Sequence, residues 1–103
     1  MEKFVRDRIT QLRLLKGVSE YQMSYDLGRS RSYVNNISSG KSMPSLTELF
    51  CICEYFGISP QAFFDIDHQD PALLETAIKE IRDLPDEDIL LILTLIQRIK
   101  KKK

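Results

Sequence analysis

The segment from Ser19 to Ile37 constrains the fold of this chain more than any other segment. It holds two short stretches of helical spacing, separated by the three residues Leu27-Gly28-Arg29. Because glycine adopts left-handed backbone conformations without a steric penalty, Gly28 suits a tight turn between two helices. The segment therefore predicts helices at about Glu20–Asp26 and Arg31–Ser38, the first bracing the second.

Serine and glycine residues mark further helix ends along the first part of the chain. Ser30 is placed to cap the helix after the turn, and Ser45 stands three residues before Glu48 in a capping-box pattern. No stretch alternates apolar and polar residues at period two, so no β-sheet is predicted. The apolar face of the fourth helix is expected to consist of Leu46, Leu49, Phe50 and Cys53. The five predicted helices are Lys3–Lys16, Glu20–Asp26, Arg31–Ser38, Leu46–Phe56 and Pro60–Phe64.

A polar stretch at residues 65–70 is predicted to link this part to two further helices, Ala72–Asp83 and Asp86–Lys100. Acidic residues begin the last helix and basic residues end it, as the helix dipole favours. The sequence therefore predicts a domain at residues 1–65 and a C-terminal two-helix region at residues 66–103. The fold class that follows is all-α.

Composition bounds the class of protein. A chain of 103 residues with a 43% apolar share supports one modest hydrophobic core. The formal net charge of zero gives no overall bias towards nucleic acid. No apolar run has the length of a signal peptide or a membrane span, so a soluble cytoplasmic protein is expected, with no membrane partner.

Motifs for catalysis or for cofactor binding are not found in the sequence. The single histidine, His68, falls in the predicted linker, and Cys51 and Cys53 point to different sides of a helix. The sequence has no glycine-rich phosphate loop, nucleophile elbow or Cys/His cluster of metal-ligand spacing. We therefore expect no enzymatic activity, no cofactor, no metal and no small-molecule ligand.

The predicted helix Arg31–Ser38 has an apolar face and a polar face. Val34 and Ile37 are three residues apart and should face the core, which leaves Ser32 and Asn36 on the outside. An eight-residue helix is about 12 Å long and fits the major groove of DNA. There Arg can pair with guanine and Asn with adenine. The alternative interpretation is a solvated polar face in a helical bundle.

From Ile9 to Phe64 the chain resembles the Cro/repressor-like (XRE) helix-turn-helix family, through RITQLRLLKGVSEYQMSYDLGRSRSYVNNISSGKSMPSLTELFCICEYFGIS. The resemblance implies a five-helix lambda-repressor-like domain that binds duplex DNA sequence-specifically, usually as a dimer. In this family the residues that match Arg31, Ser32 and Asn36 usually read bases. Residues that match Ser39, Lys41 and Ser42 lie near phosphates. The full set of predicted DNA contacts is Arg29, Ser30, Arg31, Ser32, Tyr33, Asn35, Asn36, Ser39, Lys41 and Ser42.

Three departures from the family pattern affect this expectation. Glu20 replaces the usual Gln, which donates to a phosphate, whereas a carboxylate cannot donate and repels one. Ser38 replaces the usual Glu that pairs with Arg13, so Arg13 needs another partner or points to solvent. Ser24 replaces a usual small Ala. Glu20, Ser38 and the net charge of zero favour an alternative function, a protein-interaction module of the same fold that binds DNA weakly and antagonises another regulator.

The last predicted helix carries more apolar surface than a lone surface helix needs. One stripe consists of Ile89, Ile92, Leu93, Ile96 and Ile99, and a second of Leu91 and Leu95. Because an exposed apolar band invites association, a homodimer is predicted. Its interface is expected at Leu91, Leu95, Ile92 and Ile99. Two alternatives stay open: both stripes pack within the monomer, or the helical hairpin binds a different protein.

Overall fold

The regular structure of the computed structural model, which describes residues 1–102, is entirely helical. This confirms the predicted all-α fold of five helices followed by two, and the described residues contain no β-strand. Boundaries agree with the sequence prediction to within two residues. The helices are α1 (Glu2–Lys16), α2 (Glu20–Asp26), α3 (Tyr33–Ser38), α4 (Leu46–Phe56), α5 (Pro60–Phe63), α6 (Pro71–Arg82) and α7 (Asp86–Lys101).

Local capping bonds explain why several helices begin where they do. The Ser19 hydroxyl oxygen accepts from the backbone N–H of Gln22 at 2.9 Å. At α4 the capping box is complete, since Ser45 Oγ accepts from Glu48 N and Glu48 Oε1 accepts from Ser45 N. These bonds satisfy N–H groups that the first turn of a helix leaves without a partner.

One hydrophobic core holds the first compact unit, Met1–Ala72. It is built from α1 to α5, and Phe63, which is completely buried, is its largest side chain. On α4 the buried residues are Leu49, Ile52 and Cys53. Leu46 and Phe50 are exposed. The buried face of α4 is therefore rotated towards Ile52 relative to the face that the sequence predicts. The core consists of Val5, Ile9, Leu12, Met23, Val34, Ile37, Leu49, Ile52, Cys53, Ile58, Ala62 and Phe63.

A buried arginine fastens the polar stretch after α5 to this core. Arg8 lies in α1 and is only 4% exposed. Its guanidinium donates to the carbonyl oxygens of Asp65 and of His68, the second at 3.0 Å. The same group lies 5.1 Å from the centre of the Phe4 ring. Residues 65–68, which the sequence predicts as a linker, are therefore held on the surface of the first unit.

The second compact unit begins at Leu73 and consists of the rest of α6 and α7. Lys103, which ends the predicted region 66–103, lies outside the described residues. No residue of α7 is buried. On α6, Leu74 and Ile78 are each about two-fifths exposed. Ile89 and Ile92 of the first α7 stripe are partly buried, whereas Leu91 and Leu95 of the second stripe are exposed.

Replacing Ile52 with alanine tests this account of the core. Ile52 is 1% exposed, so Ile52→Ala removes contacts that the surrounding side chains cannot replace. We expect the free energy of unfolding in urea to fall by about 2–5 kcal/mol. Ile66 is 78% exposed, and Ile66→Ala should change the same quantity by less than about 0.5 kcal/mol. Equal losses in the two variants would contradict the described core.

Candidate nucleic-acid interface

The turn between α2 and α3 is longer than the sequence predicts. Gly28 has a φ of 70°, a left-handed conformation that favours glycine. The chain then makes a further turn in which Ser30 O accepts from Tyr33 N at 3.0 Å, and α3 begins only at Tyr33. The predicted start at Arg31 and the predicted Ser30 cap are therefore wrong. The N-cap residue is Ser32, whose side chain makes no capping bond.

The capping bond of α3 comes instead from the preceding helix. Ser24 is completely buried in α2, and its hydroxyl oxygen accepts from Val34 N at 3.1 Å. The same hydroxyl donates to Glu20 O at 2.9 Å. An alanine at this position would leave a buried first-turn N–H of α3 without this acceptor. The replacement of the family's usual Ala by Ser24 thus joins the two helices of the motif.

The buried face of α3 is the one that its sequence predicts. Val34 and Ile37 are each 1% exposed and fix the helix to the core. Asn36, on the other side of the helix, is half-buried, and Arg31 and Ser32, in the turn before the helix, are exposed. The turn before α3 and the outer side of α3 together therefore present a guanidinium, a hydroxyl and an amide, which are groups that hydrogen-bond to base edges.

Two of the departures from the family pattern meet in space. Glu20 Oε1 accepts from Asn35 Nδ2 at 3.1 Å, and Glu20 Oε2 accepts from Ser38 Oγ at 2.5 Å. The hydrogen bond from Ser38, followed by that from Asn35, lowers the pKa of Glu20 below its usual 4.5. The positive charge of Arg13 lowers it further. An ionised carboxylate therefore ties the start of α2 to the side of α3.

Arg13 has a partner in the backbone rather than in a side-chain carboxylate. Its Nη1 donates to the carbonyl oxygen of Val18 at 2.8 Å, across the corner between α1 and α2. Of the two options that the sequence left open, another partner is the one found. The arginine therefore supports the corner that positions the first residue of α2.

Two predicted DNA contacts, Arg29 and Tyr33, lie next to Glu48. The sequence did not predict Glu48 as part of the DNA-binding site. Arg29 forms an ion pair with Glu48, and its guanidinium lies 4.6 Å from the centre of the Tyr33 ring. Burial, together with the nearby Glu48 charge, raises the pKa of Tyr33 to about 12. Glu48 also completes the capping box, and that pattern is the only sequence signal that points to it.

The loop after α3 folds back onto the end of the helix. Asn36 O accepts from Ser42 N at 3.0 Å and from Ser39 Oγ at 3.4 Å. Lys41 lies between them and is exposed, as are both serines and Ser30. Three of the predicted phosphate contacts are thus grouped at the C-terminal end of α3.

The helical arrangement and the family comparison agree. Residues 9–63, just over half of the chain, match a family model described as helix-turn-helix. The chain belongs to the Cro/repressor-like (XRE) helix-turn-helix family. This family consists of DNA-binding regulators of transcription, which sets the class of function at family level. Comparison with curated proteins and with solved structures gives no match. Within residues 1–102, no helix has the length and apolar character needed to cross a membrane.

The bond between Ser24 and α3 generates a prediction about stability. Ser24→Ala removes the acceptor for the buried Val34 N–H. We expect the free energy of unfolding, measured by urea titration, to fall by about 1–2 kcal/mol. The matched control is Ser32→Ala, because Ser32 is exposed and its side chain makes no capping bond. That variant should change stability by less than about 0.5 kcal/mol. A neutral Ser24→Ala would show that the interhelical bond contributes nothing.

Proposed function

We propose that this protein is a transcriptional repressor that binds operator DNA sequence-specifically as a homodimer in the cytoplasm, without enzymatic activity. The supporting observation is the two-sided environment of α3. Val34 and Ile37 are buried, whereas Arg31 and Ser32 are exposed and Asn36 is partly so. A short helix held in this way can enter the major groove while the rest of the domain stays outside it.

The exposed groups divide into those suited to bases and those suited to phosphates. Arg31, Ser32 and Asn36 are the residues that we propose read base edges. Ser39, Lys41 and Ser42, at the other end of α3, are proposed to contact phosphates, which fix the position of a protein on the duplex. The remaining proposed contacts flank these two groups and are Arg29, Ser30, Tyr33 and Asn35.

The homodimer is supported by the apolar surface of the second unit. Leu91, Leu95 and Ile99 are 70%, 55% and 51% exposed, and Ile92 lies partly buried beside them. A pair of subunits related by a two-fold axis can read a two-fold symmetric site with its two copies of α3. A dimer that occupies an operator excludes other proteins from it, and repression is the mode that we propose.

The second candidate function is a protein-interaction module of the same fold that binds DNA weakly. Glu20 favours it, because its carboxylate is kept ionised by Ser38 and Asn35 at the start of α2. A negative charge at this position opposes an approaching phosphate. Such a protein would antagonise another regulator through its C-terminal helices.

Selection from a pool of random duplex DNA with the full chain tests the proposal. Enrichment of one two-fold symmetric sequence supports a sequence-specific homodimer. Enrichment of an asymmetric site would support sequence-specific DNA binding but contradict binding by a two-fold symmetric dimer. If no sequence is enriched, the second candidate function replaces the first.

Replacing Arg31 tests the assignment of base contacts. On the selected site, Arg31→Ala should weaken binding by about 1–3 kcal/mol and relax the preference at one base position. Fluorescence anisotropy on the selected site and on single-base variants measures both effects. Arg82→Ala is the control, because Arg82 is an exposed arginine in the second unit. Uniform weakening on every sequence would instead assign Arg31 to a phosphate.

Replacing Glu20 tests whether its carboxylate opposes DNA binding. Glu20→Gln removes the charge and supplies an N–H donor, so affinity for DNA should rise roughly two- to five-fold. The rise should be smaller at high salt, which screens exposed charges. Glu54→Gln, at an exposed position of α4, is the matched control. Unchanged or lower affinity of Glu20→Gln would show that this carboxylate does not oppose DNA binding.

A further inference from the structure

Four side chains on α7 form a stripe that has an acid at one end and a base at the other. They are Asp88, Leu91, Leu95 and Arg98, spaced by three, four and three residues, which places them on one side of the helix. The two leucines are among the more exposed apolar side chains of the chain, at 70% and 55%. They line a groove together with Ile92, Thr94 and Arg98. Within residues 1–102 neither Asp88 nor Arg98 forms an ion pair.

The spacing of this stripe is symmetric about the level of Leu93. Reversing the helix direction exchanges Leu91 with Leu95 and Asp88 with Arg98, so apolar groups replace apolar groups and opposite charges change places. The ends of the helix extend the same pattern, because its first turn is acidic and its last turn is basic. The stripe of α7 is thus complementary to its own reversed copy.

We propose that α7 pairs in antiparallel orientation with α7 of a second copy of this chain, about a two-fold axis at the level of Leu93. Leu91 of each copy then packs against Leu95 of the partner subunit, and Asp88 faces Arg98 of the partner subunit. This proposal rests on the homodimer of the proposed function and specifies its geometry.

A parallel pair of the same helices would be electrostatically unfavourable. It would place Asp88 beside Asp88 of the partner subunit, and Arg98 beside Arg98 of the partner subunit. Like charges across an interface are repulsive, and helix dipoles also oppose each other when helices run in the same direction. Charge therefore selects the antiparallel pair over the parallel one.

Charge exchange in the full chain, followed by sedimentation equilibrium, tests the pairing. Asp88→Arg and Arg98→Asp, made separately, each create two like-charge contacts per antiparallel dimer, and the dimer dissociation constant should rise roughly ten-fold or more. The variant with both substitutions restores opposite charges and should dimerise within about three-fold of the parent. Asp83→Arg, outside α7, makes the same charge change and should have little effect.

The outcomes of this experiment are distinct. If both single variants dimerise as the parent does, or if the double variant stays as weak as the single variants, the antiparallel pairing is rejected while the homodimer stands. A parent that is monomeric at every concentration, or that joins only a different protein, rejects both. The DNA selection reports on base reading separately. Circular dichroism of each variant identifies loss of helix, and recovery in the double variant excludes misfolding as the cause.

Cross-linking gives an independent measure of the helix direction. In a Cys51→Ser background, a chain with Asp88→Cys and Arg98→Cys should oxidise to a covalent dimer, because each cysteine faces the other position of its partner. Asp88→Cys alone should not, since ten residues of helix separate the two thiols by about 15 Å in the antiparallel pair. An efficient disulfide between two copies of the chain with Asp88→Cys alone would show that the helices run parallel.

Discussion

The attachment of α3 to α2 is the constraint on which the site depends. With six residues, α3 is far shorter than the length at which isolated helices are stable in water. Two buried anchors, Val34 and Ile37, and the hydrogen bond from Ser24 hold it against the rest of the domain. The hydroxyl of Ser24 in α2 acts as the N-terminal cap of α3. The position of the outer face of α3 therefore depends on α2.

Several polar groups near that surface already have partners inside the protein. Asn35 and Ser38 donate to Glu20, and Arg29 is paired with Glu48. For Asn35 or Arg29, contact with DNA would exchange one hydrogen-bonding partner for another, which limits the net gain in free energy. Arg31 makes no side-chain hydrogen bond or ion pair within the described residues 1–102 that it would have to exchange. The internal network thus favours Arg31 as a source of base discrimination.

The two compact units differ in how well they bury apolar side chains. The first unit buries a cluster of apolar side chains around Phe63, and Arg8 is buried in the same unit. In the second unit α7 buries no residue, and its most exposed leucine, Leu91, lies near the middle of the helix. The exposed apolar face of such a helix contributes to stability only when another apolar surface covers it. This contrast is the physical basis for proposing DNA reading in one unit and self-association in the other.

The sequence by itself determined the seven helices, most of their ends and the core face of α3. Those features depend on residues within about four positions of one another, as in the capping box of Ser45 and Glu48. Only the tertiary structure decided where α3 begins and which partners Ser24, Glu20 and Arg8 have. These bonds join residues 10, 18 and 60 positions apart. Such contacts depend on how helices pack. Helical periodicity describes residues a few positions apart and carries no information about partners this far apart in the sequence.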